Sequence, residues 1–187
     1  MENGSHEITV LLRKHQAGNE EVVDKLIPLI YEQLKLMAHK YMIRENSDHT
    51  LNTTGLVHEA YLRILKQNAD YQNRSHFYAI VATTMRRILL EAARSKKAQK
   101  RGDGAHKVPL EEHFIISEED ADQLITIDAA LNRLQAIDER LAQIVELRYF
   151  GGLNTEEIAM AIDCSESTVK RGWQTAKAWL FEYLKGQ

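Results

Sequence analysis

Residues 147–180 carry the pattern that most restricts the fold, because their caps and apolar spacing are typical of a helix-turn-helix. Asn154 is predicted to cap a short helix, and Glu157 stands three positions later, where a capping box needs it. Ser165 is predicted to cap a second helix after a short break. Apolar residues recur at helical intervals in both segments: Ile158, Ala159 and Ile162, then Val169, Trp173, Ala176 and Leu180.

The outward face of the second predicted helix carries side chains that suit contact with DNA. The predicted contact residues are Ser165, Ser167, Thr168, Lys170, Arg171 and Gln174. Cations hold backbone phosphates, while hydroxyl, amide and guanidinium groups reach base edges in the major groove. The alternative is an ordinary joint between two helices of a bundle, which needs no DNA. The residue order favours DNA, since Lys170 and Arg171 follow closely on the capped helix start.

Composition favours an all-α protein built from two small helical domains. The 187 residues include only 9 glycines and 2 prolines, which leaves few turns for a many-stranded sheet. A hydrophobic content of 44% is ordinary for a helical protein that buries a core. No apolar run approaches the length of a membrane span, so we expect no membrane insertion and a cytoplasmic location. The lone Cys164, between the two predicted helices, suits a packing residue.

Charge divides the chain into parts, although the net charge is only −3. Residues 86–107 have an excess of six positive charges, whereas residues 108–124 contain six acidic residues and no lysine or arginine. We therefore predict a first domain at 1–101, an acidic linker at 102–124 and a second domain at 125–187. The acidic segment is either solvated, held against basic surfaces of the same chain, or bound in a positive channel of a partner.

The first domain has the pattern of successive amphipathic helices. Helix starts are predicted at Ser5, Asn19, Thr53 or Thr54, and Ser75. Gly18 is predicted to end the first helix, and Pro28 to kink or restart the second. The helix from Ser75 is predicted to reach about Lys100 and becomes increasingly basic along its length. A long helix that ends in cations suits phosphate binding, although a solvated basic end has the same pattern.

Four segments occur in an order that resembles a known family. They are LVHEAYLRIL at 56–65, FYAIVATTMRRILLEAARSKKAQKR at 77–101 and, after the linker, LRYFGGLNTEEIA and STVKRGW. This arrangement resembles bacterial RNA polymerase sigma factors of the extracytoplasmic-function (ECF) group, and looks closest to the subgroup with a TVKRxW recognition helix. The resemblance implies an alternative sigma factor that binds RNA polymerase core and directs promoter-specific initiation. Its first domain would bind the clamp helices of the largest subunit and melt the minus-10 element, and its second would bind the minus-35 element.

The resemblance also implies roles for individual positions. It implies polymerase contacts at Leu56, Val57, Glu59, Leu62 and Arg63. It implies minus-10 DNA contacts at Phe77, Tyr78, Arg86, Arg87, Arg94 and Lys97, with a flipped base captured by the loop at 68–76. Aromatic and basic groups together suit a surface that holds unpaired bases and their phosphates. The plainer interpretation of these residues is apolar core and solvated charge, and the helical spacing of Phe77 fits a core position.

Four positions depart from the family pattern. Arg87 stands where many relatives carry asparagine after the first arginine. Glu91 and Ala92 stand where many relatives carry an Asp-His pair, so the base preference at the minus-10 element does not carry over. Gly172 lies in the recognition helix, where glycine costs about 1 kcal/mol relative to alanine. Either one DNA contact is absent there or the helix approaches a neighbour closely. Regulation is expected from outside the chain, through its expression or an inhibitor such as an anti-sigma factor.

Enzymatic interpretations find little support in the sequence. The 8 histidines are scattered and the single cysteine has no pair, so neither a metal site nor a cofactor is expected. Two non-enzymatic rivals remain open at this point. A stand-alone helix-turn-helix repressor or activator would bind a duplex operator by itself and use its N-terminal domain for sensing or dimerisation. A pure docking scaffold would not depend on the cations of the second helix.

Overall fold

The chain folds into helices throughout the parts that the computed structural model describes, which are residues 2–41, 49–66, 71–100 and 117–186. No strand occurs in these ranges, and the predicted all-α class with two helical domains is confirmed. The first domain contains α1 Glu2–Gln16, α2 Val23–Tyr41, α3 His49–Lys66 and α4 Arg74–Lys100. The second contains α5 Glu118–Ile137, α6 Glu139–Val145, α7 Thr155–Ala161 and α8 Glu166–Lys185.

Local sequence sets the boundary between α1 and α2. Gly18 has a φ of +87°, a left-handed conformation that ends α1 at little steric cost. The Asn19 side chain accepts a hydrogen bond from the N–H of Glu21 and caps a short 3-10 turn that leads into α2. Both predictions are confirmed. α2 runs through Pro28 instead of restarting there, and the carbonyl that loses its helical partner belongs to Asp24, an exposed residue.

Helix α4 is the central element of the molecule. It contacts α1, α2 and α3 of its own domain, and also α5, α7 and the π-helical turn Glu146–Phe150 of the second domain. Met85 and Ile88 of α4 are fully buried. The hydrophobic core around them continues into the second domain, where it includes Ile158 and Val169. The two domains therefore pack against each other along α4.

The acidic segment departs from the predicted boundaries. Residues 102–116 of the predicted 102–124 linker lie outside the described residues, but 117–124 form the cap and first turns of α5. The Ser117 hydroxyl accepts a hydrogen bond from the N–H of Asp120 at 3.1 Å, and three acidic residues occupy the first turn. Acidic side chains there interact favourably with the helix dipole, so charges that resembled a linker mark a helix start. Ala121 in this stretch is fully buried.

Helix α4 begins slightly earlier than predicted. Asn73 rather than Ser75 caps it, because Asn73 Oδ1 accepts a hydrogen bond from the N–H of His76 at 2.9 Å. Ser75 is buried in the first turn. Both residue types are good caps, and sequence alone does not distinguish two of them this close together. Helices α1 and α3 also begin before their predicted starts, at Glu2 and His49.

Candidate nucleic-acid interface

The first helix of the helix-turn-helix, α7, begins with a complete capping box. Asn154 Oδ1 accepts a hydrogen bond from the N–H of Glu157 at 2.9 Å, and Glu157 Oε2 accepts one from the N–H of Asn154 at 2.9 Å. Two backbone donors that a helix start leaves open are thereby satisfied. Ile158 and Ala159 bury the inner face of the helix. The predicted cap is confirmed, and it fixes where α7 starts.

A short turn joins α7 to α8. Asp163 has a φ of +49°, in the left-handed region where Asp and Asn are among the few tolerated side chains. The N–H of Cys164 donates to the carbonyl of Ala159 at 3.0 Å and closes the turn, while the Cys164 side chain packs against the core. Ser165 Oγ then accepts a hydrogen bond from the N–H of Thr168 at 3.2 Å, which confirms it as the cap of α8.

The inner face of α8 packs unusually closely against α6. Val169, Gly172 and Ala176 are buried on this face. A Cβ atom on Gly172 would lie 2.6 Å from Cδ1 of Ile144 and 3.2 Å from Cδ2 of Leu141. Those separations are below ordinary carbon–carbon contact distances. The close approach of α8 to a neighbouring helix therefore accounts for this glycine.

The outer face of α8 is open to solvent. Five of the predicted minus-35 residues are exposed and the sixth is half-buried: Ser165, Ser167, Lys170, Arg171 and Gln174, and then Thr168. The hydroxyl of Ser165 lies 2.9 Å from that of Ser167 and 2.8 Å from that of Thr168, so three hydroxyls cluster at the helix N-terminus. Lys170 pairs with Glu166 at 3.2 Å, but both are well exposed, and such a pair contributes little and exchanges readily.

On α4, by contrast, the central predicted DNA cation faces the second domain. Arg86 lies between two carboxylates: its Nη1 is 2.5 Å from Asp128 Oδ1 and its Nε is 2.8 Å from Glu146 Oε1. The three side chains are 14%, 9% and 15% exposed, so the cluster is largely shielded from water. Pairs this deep are stable only when both partners are present, because an unpaired buried charge is costly.

Further along α4, two more predicted DNA cations pair with α5. Arg94 Nη2 lies 3.3 Å from Asp128 Oδ2, and Lys97 pairs with Asp122. These pairs are more exposed than the Arg86 cluster, and we expect each to contribute less. Arg87 is exposed on the helix surface. The six predicted minus-10 residues are therefore dispersed between the surface, the boundary with the second domain, and the core.

The core members of that set are Phe77 and Tyr78, which are 3% and 2% exposed. Their rings meet edge-on at 5.4 Å, and Phe77 also meets Tyr71 edge-on at 5.3 Å. Burial raises the pKa of the Tyr78 hydroxyl, and the guanidinium of Arg74, over the ring at 5.1 Å, opposes that rise. Neither ring presents a face to a DNA base in this arrangement. They are core residues here, and their contact with DNA stays a prediction.

The predicted polymerase-binding residues of α3 divide into core and surface. Two are buried: Leu56 and Val57. Leu62 is 37% exposed and points to solvent. Arg63 donates from Nε to Glu59 at 3.0 Å and from both terminal nitrogens to Glu91 of α4, at 3.1 and 2.8 Å. Glu91, which departs from the family pattern, thus ties α3 to α4.

Sequence reasoning missed the two acids that bind Arg86. Asp128 is 6% exposed in α5, and its only signal is its position among apolar residues in LITIDAAL. A buried carboxylate requires a partner, but the pattern does not reveal which cation supplies it. Glu146 lies in the π-helical turn, and its sequence context, VELRYF, has no distinguishing feature.

Neither a metal-binding cluster nor a helix suited to span a membrane occurs in the described ranges. Within them, no group of three or more metal-binding side chains comes together. None of the helices in those ranges combines the length and apolar character that a membrane span requires.

Comparison with protein-family models matches residues 5–186 to the family described as ECF sigma factor. No curated protein matches the chain significantly. The family match extends over nearly the whole chain, from α1 to the end of α8. The chain therefore belongs to the ECF sigma factor family, and it is an alternative sigma factor that directs transcription initiation with RNA polymerase and promoter DNA as its partners.

Proposed function

We propose that α8 recognises the minus-35 promoter element and that the chain belongs to the subgroup with a TVKRxW recognition helix. The observation that carries this proposal is the open outer face of α8, where hydroxyls, cations and an amide surround a capped helix N-terminus. A helix N-terminus favours phosphate, and these side chains suit base edges. Packing of Gly172 against α6 holds the helix in place while its outer face stays accessible.

The minus-10 element binds the first domain along α4 in this proposal. Arg87 is exposed and Arg94 is 62% exposed, so part of a basic surface is already accessible. Arg86 and Lys97 would join it once they leave their acidic partners. Cations spaced along a helix suit the phosphates of a separated strand. Phe77 and Tyr78 would reach DNA only if the start of α4 were uncovered.

The clamp helices of the polymerase's largest subunit would bind the surface of α3 around Leu62. An exposed apolar side chain with charged neighbours has the composition of a small docking patch. Glu59 and Arg63 form the rim, and the bonds from Arg63 to Glu91 hold that rim in a fixed position. An anti-sigma factor, if it controls this chain, would compete for the same surface.

The decisive experiment adds the purified chain to sigma-free bacterial core polymerase and maps transcript starts on genomic DNA. We expect discrete new start sites that share upstream sequence elements. Lys170→Glu with Arg171→Glu should abolish them, whereas Lys177→Glu with Lys185→Glu, an equal charge change at exposed positions of the same helix, should not. Equal losses in the two double variants would contradict minus-35 recognition through the start of α8.

Docking on α3 is tested separately from DNA binding. Leu62→Asp should weaken association with core polymerase in the absence of DNA by about tenfold or more, because it replaces the exposed apolar side chain of the proposed docking surface with a charge. Met160→Asp, at an exposed apolar position on α7, is the matched control. Unchanged core affinity for Leu62→Asp would remove the proposed docking surface.

A further inference from the structure

Four cations of α4 within the described residues pair with carboxylates of the second domain: Arg74 with Glu157, Arg86 with Asp128 and Glu146, Arg94 with Asp128, and Lys97 with Asp122. We call these four carboxylates the acidic face. They come from α5, the π-helical turn and α7, three elements that all contact α4. The pairs follow α4 from its first residue nearly to its end.

We propose that this arrangement is a self-masked state of the free chain, in which the acidic face occupies the positions that DNA phosphates take on α4. The inference rests on the proposed minus-10 role of α4. One guanidinium cannot hold both a buried carboxylate pair and a phosphate, so the two contacts exclude each other. The guanidinium of Arg86 pairs with Asp128 through Nη1 and with Glu146 through Nε. Its side chain is only 14% exposed, so it is the least accessible to DNA of the four cations.

The contact is held by more than charge. The hydrophobic core is continuous across the boundary between the domains, with the fully buried Ala121 of α5 in the same cluster as Met85 and Ile88 of α4. Separation of the two domains therefore exposes apolar surface and also breaks ion pairs. Salt alone is expected to weaken the more exposed Lys97 pair before the shielded Arg86 cluster.

Masking lowers the apparent affinity for DNA, because only the open molecules can bind it. If the open form is a minor species, the measured dissociation constant for DNA equals that of the open form divided by the fraction of molecules that are open. Polymerase core would raise the open fraction, and so make α4 accessible to DNA, by binding the open form more tightly than the closed form. The outer face of α8 has no part in the contact, so the minus-35 reader stays accessible in both forms.

The first test is Asp128→Asn with Glu146→Gln in the full chain. Binding to a fluorescent single-stranded DNA 20-mer of mixed sequence is measured by anisotropy without polymerase. Loss of both negative charges removes the ion pairs of Arg86 and so destabilises the closed form, and we expect tighter binding by roughly tenfold. Glu139→Gln with Glu182→Gln changes the net charge equally at exposed positions and should alter affinity by less than about twofold. Equal gains in both variants would overturn the proposal.

A cross-link tests the same idea by holding the protein in the closed form. Lys97→Cys and Asp122→Cys are introduced with Cys164→Ser, and a short bis-maleimide then joins the two cysteines, whose parent side chains pair in the closed form. The linked protein should lose DNA affinity about tenfold relative to the same protein capped with N-ethylmaleimide. Failure to cross-link, or full DNA binding after cross-linking, would refute the masked state.

A third variant separates failure of masking from failure of the proposed function. Arg87→Glu lies on the exposed side of α4, outside the acidic face. Added to Asp128→Asn with Glu146→Gln, it should abolish the gain in DNA affinity. If the gain in DNA affinity persists with Arg87→Glu, α4 is not the DNA-binding surface, and the masking proposal fails as well. If no gain appears but Arg87→Glu still impairs promoter melting with polymerase, masking alone is overturned.

Discussion

Replacement of Gly172 by alanine should destabilise the protein, although alanine is the better helix former. Propensity alone would stabilise α8 by about 1 kcal/mol. The added Cβ, however, would lie 2.6 Å from Cδ1 of Ile144, a residue with no exposed surface, so this side chain would have to shift within the core. Overpacking of this kind costs about 1–3 kcal/mol. We therefore expect a net loss of about 1 kcal/mol in the free energy of unfolding, measured by urea denaturation.

A double-mutant cycle tests the cause of that loss. Ile144→Val removes the Cδ1 atom that the new Cβ would meet, and by itself it should cost about 1 kcal/mol through the small cavity it leaves. In combination with Gly172→Ala it should cost less than the sum of the single changes, by about 1 kcal/mol. Ala178→Gly, at an exposed position of α8, calibrates propensity in the same helix and should cost about 1 kcal/mol.

Two results would refute this reasoning. The first is a rise of about 1 kcal/mol for Gly172→Ala, equal and opposite to Ala178→Gly, which would mean that propensity alone operates. The second is strict additivity between Gly172→Ala and Ile144→Val, which would mean that the two side chains do not meet. A loss of promoter recognition without a loss of stability would instead indicate that the substitution moves α8.

Three other predictions follow from individual contacts. Asn154→Ala removes the cap of α7 and should lower the free energy of unfolding by about 1 kcal/mol in urea titrations, with Asn154→Asp as the conservative control. Tyr78→Phe removes a buried hydroxyl that has no hydrogen-bond partner within the described residues, so stability should hold or rise by up to about 1 kcal/mol; a clear loss would show a hidden partner. Burial raises the folded-state pKa of Tyr71 and Tyr78, so their contribution to stability should be lost as pH rises above about 10, and the loss should be smaller in Tyr78→Phe.

The parts of the fold that sequence predicted depend on short-range signals. Asn19, Asn154 and Ser165 each cap a helix through a backbone N–H only two or three residues away, and Gly18 ends α1 through its own φ. The exposed face of α8 follows from helical phase alone, because burial of Val169 and Ala176 leaves the intervening side chains outward. These features need no knowledge of the rest of the chain.

The surroundings of α4 were not predictable in the same way. Arg86 and Asp128 are 42 positions apart, and a basic residue on a helix has the same local pattern whether it is solvated or paired. Six acids without a lysine or arginine in residues 108–124 suit either a solvated linker or a helix N-terminus, so the start of α5 has the composition of a linker. Only the packing of α5 along α4 decides between them, and that packing depends on contacts distant in sequence.

Glu157 makes one contact that is local in sequence and one that is distant in sequence. One of its carboxylate oxygens completes the capping box of α7 with Asn154, while the other pairs with Arg74 at the start of α4. Separation of the domains would break the second contact and leave the first, because the capping box is local to α7. The cap of α7 therefore does not depend on the contact with α4. In the proposed mechanism, the minus-35 surface of α8 is accessible in the free chain, whereas the minus-10 surface of α4 becomes accessible only when the domains separate.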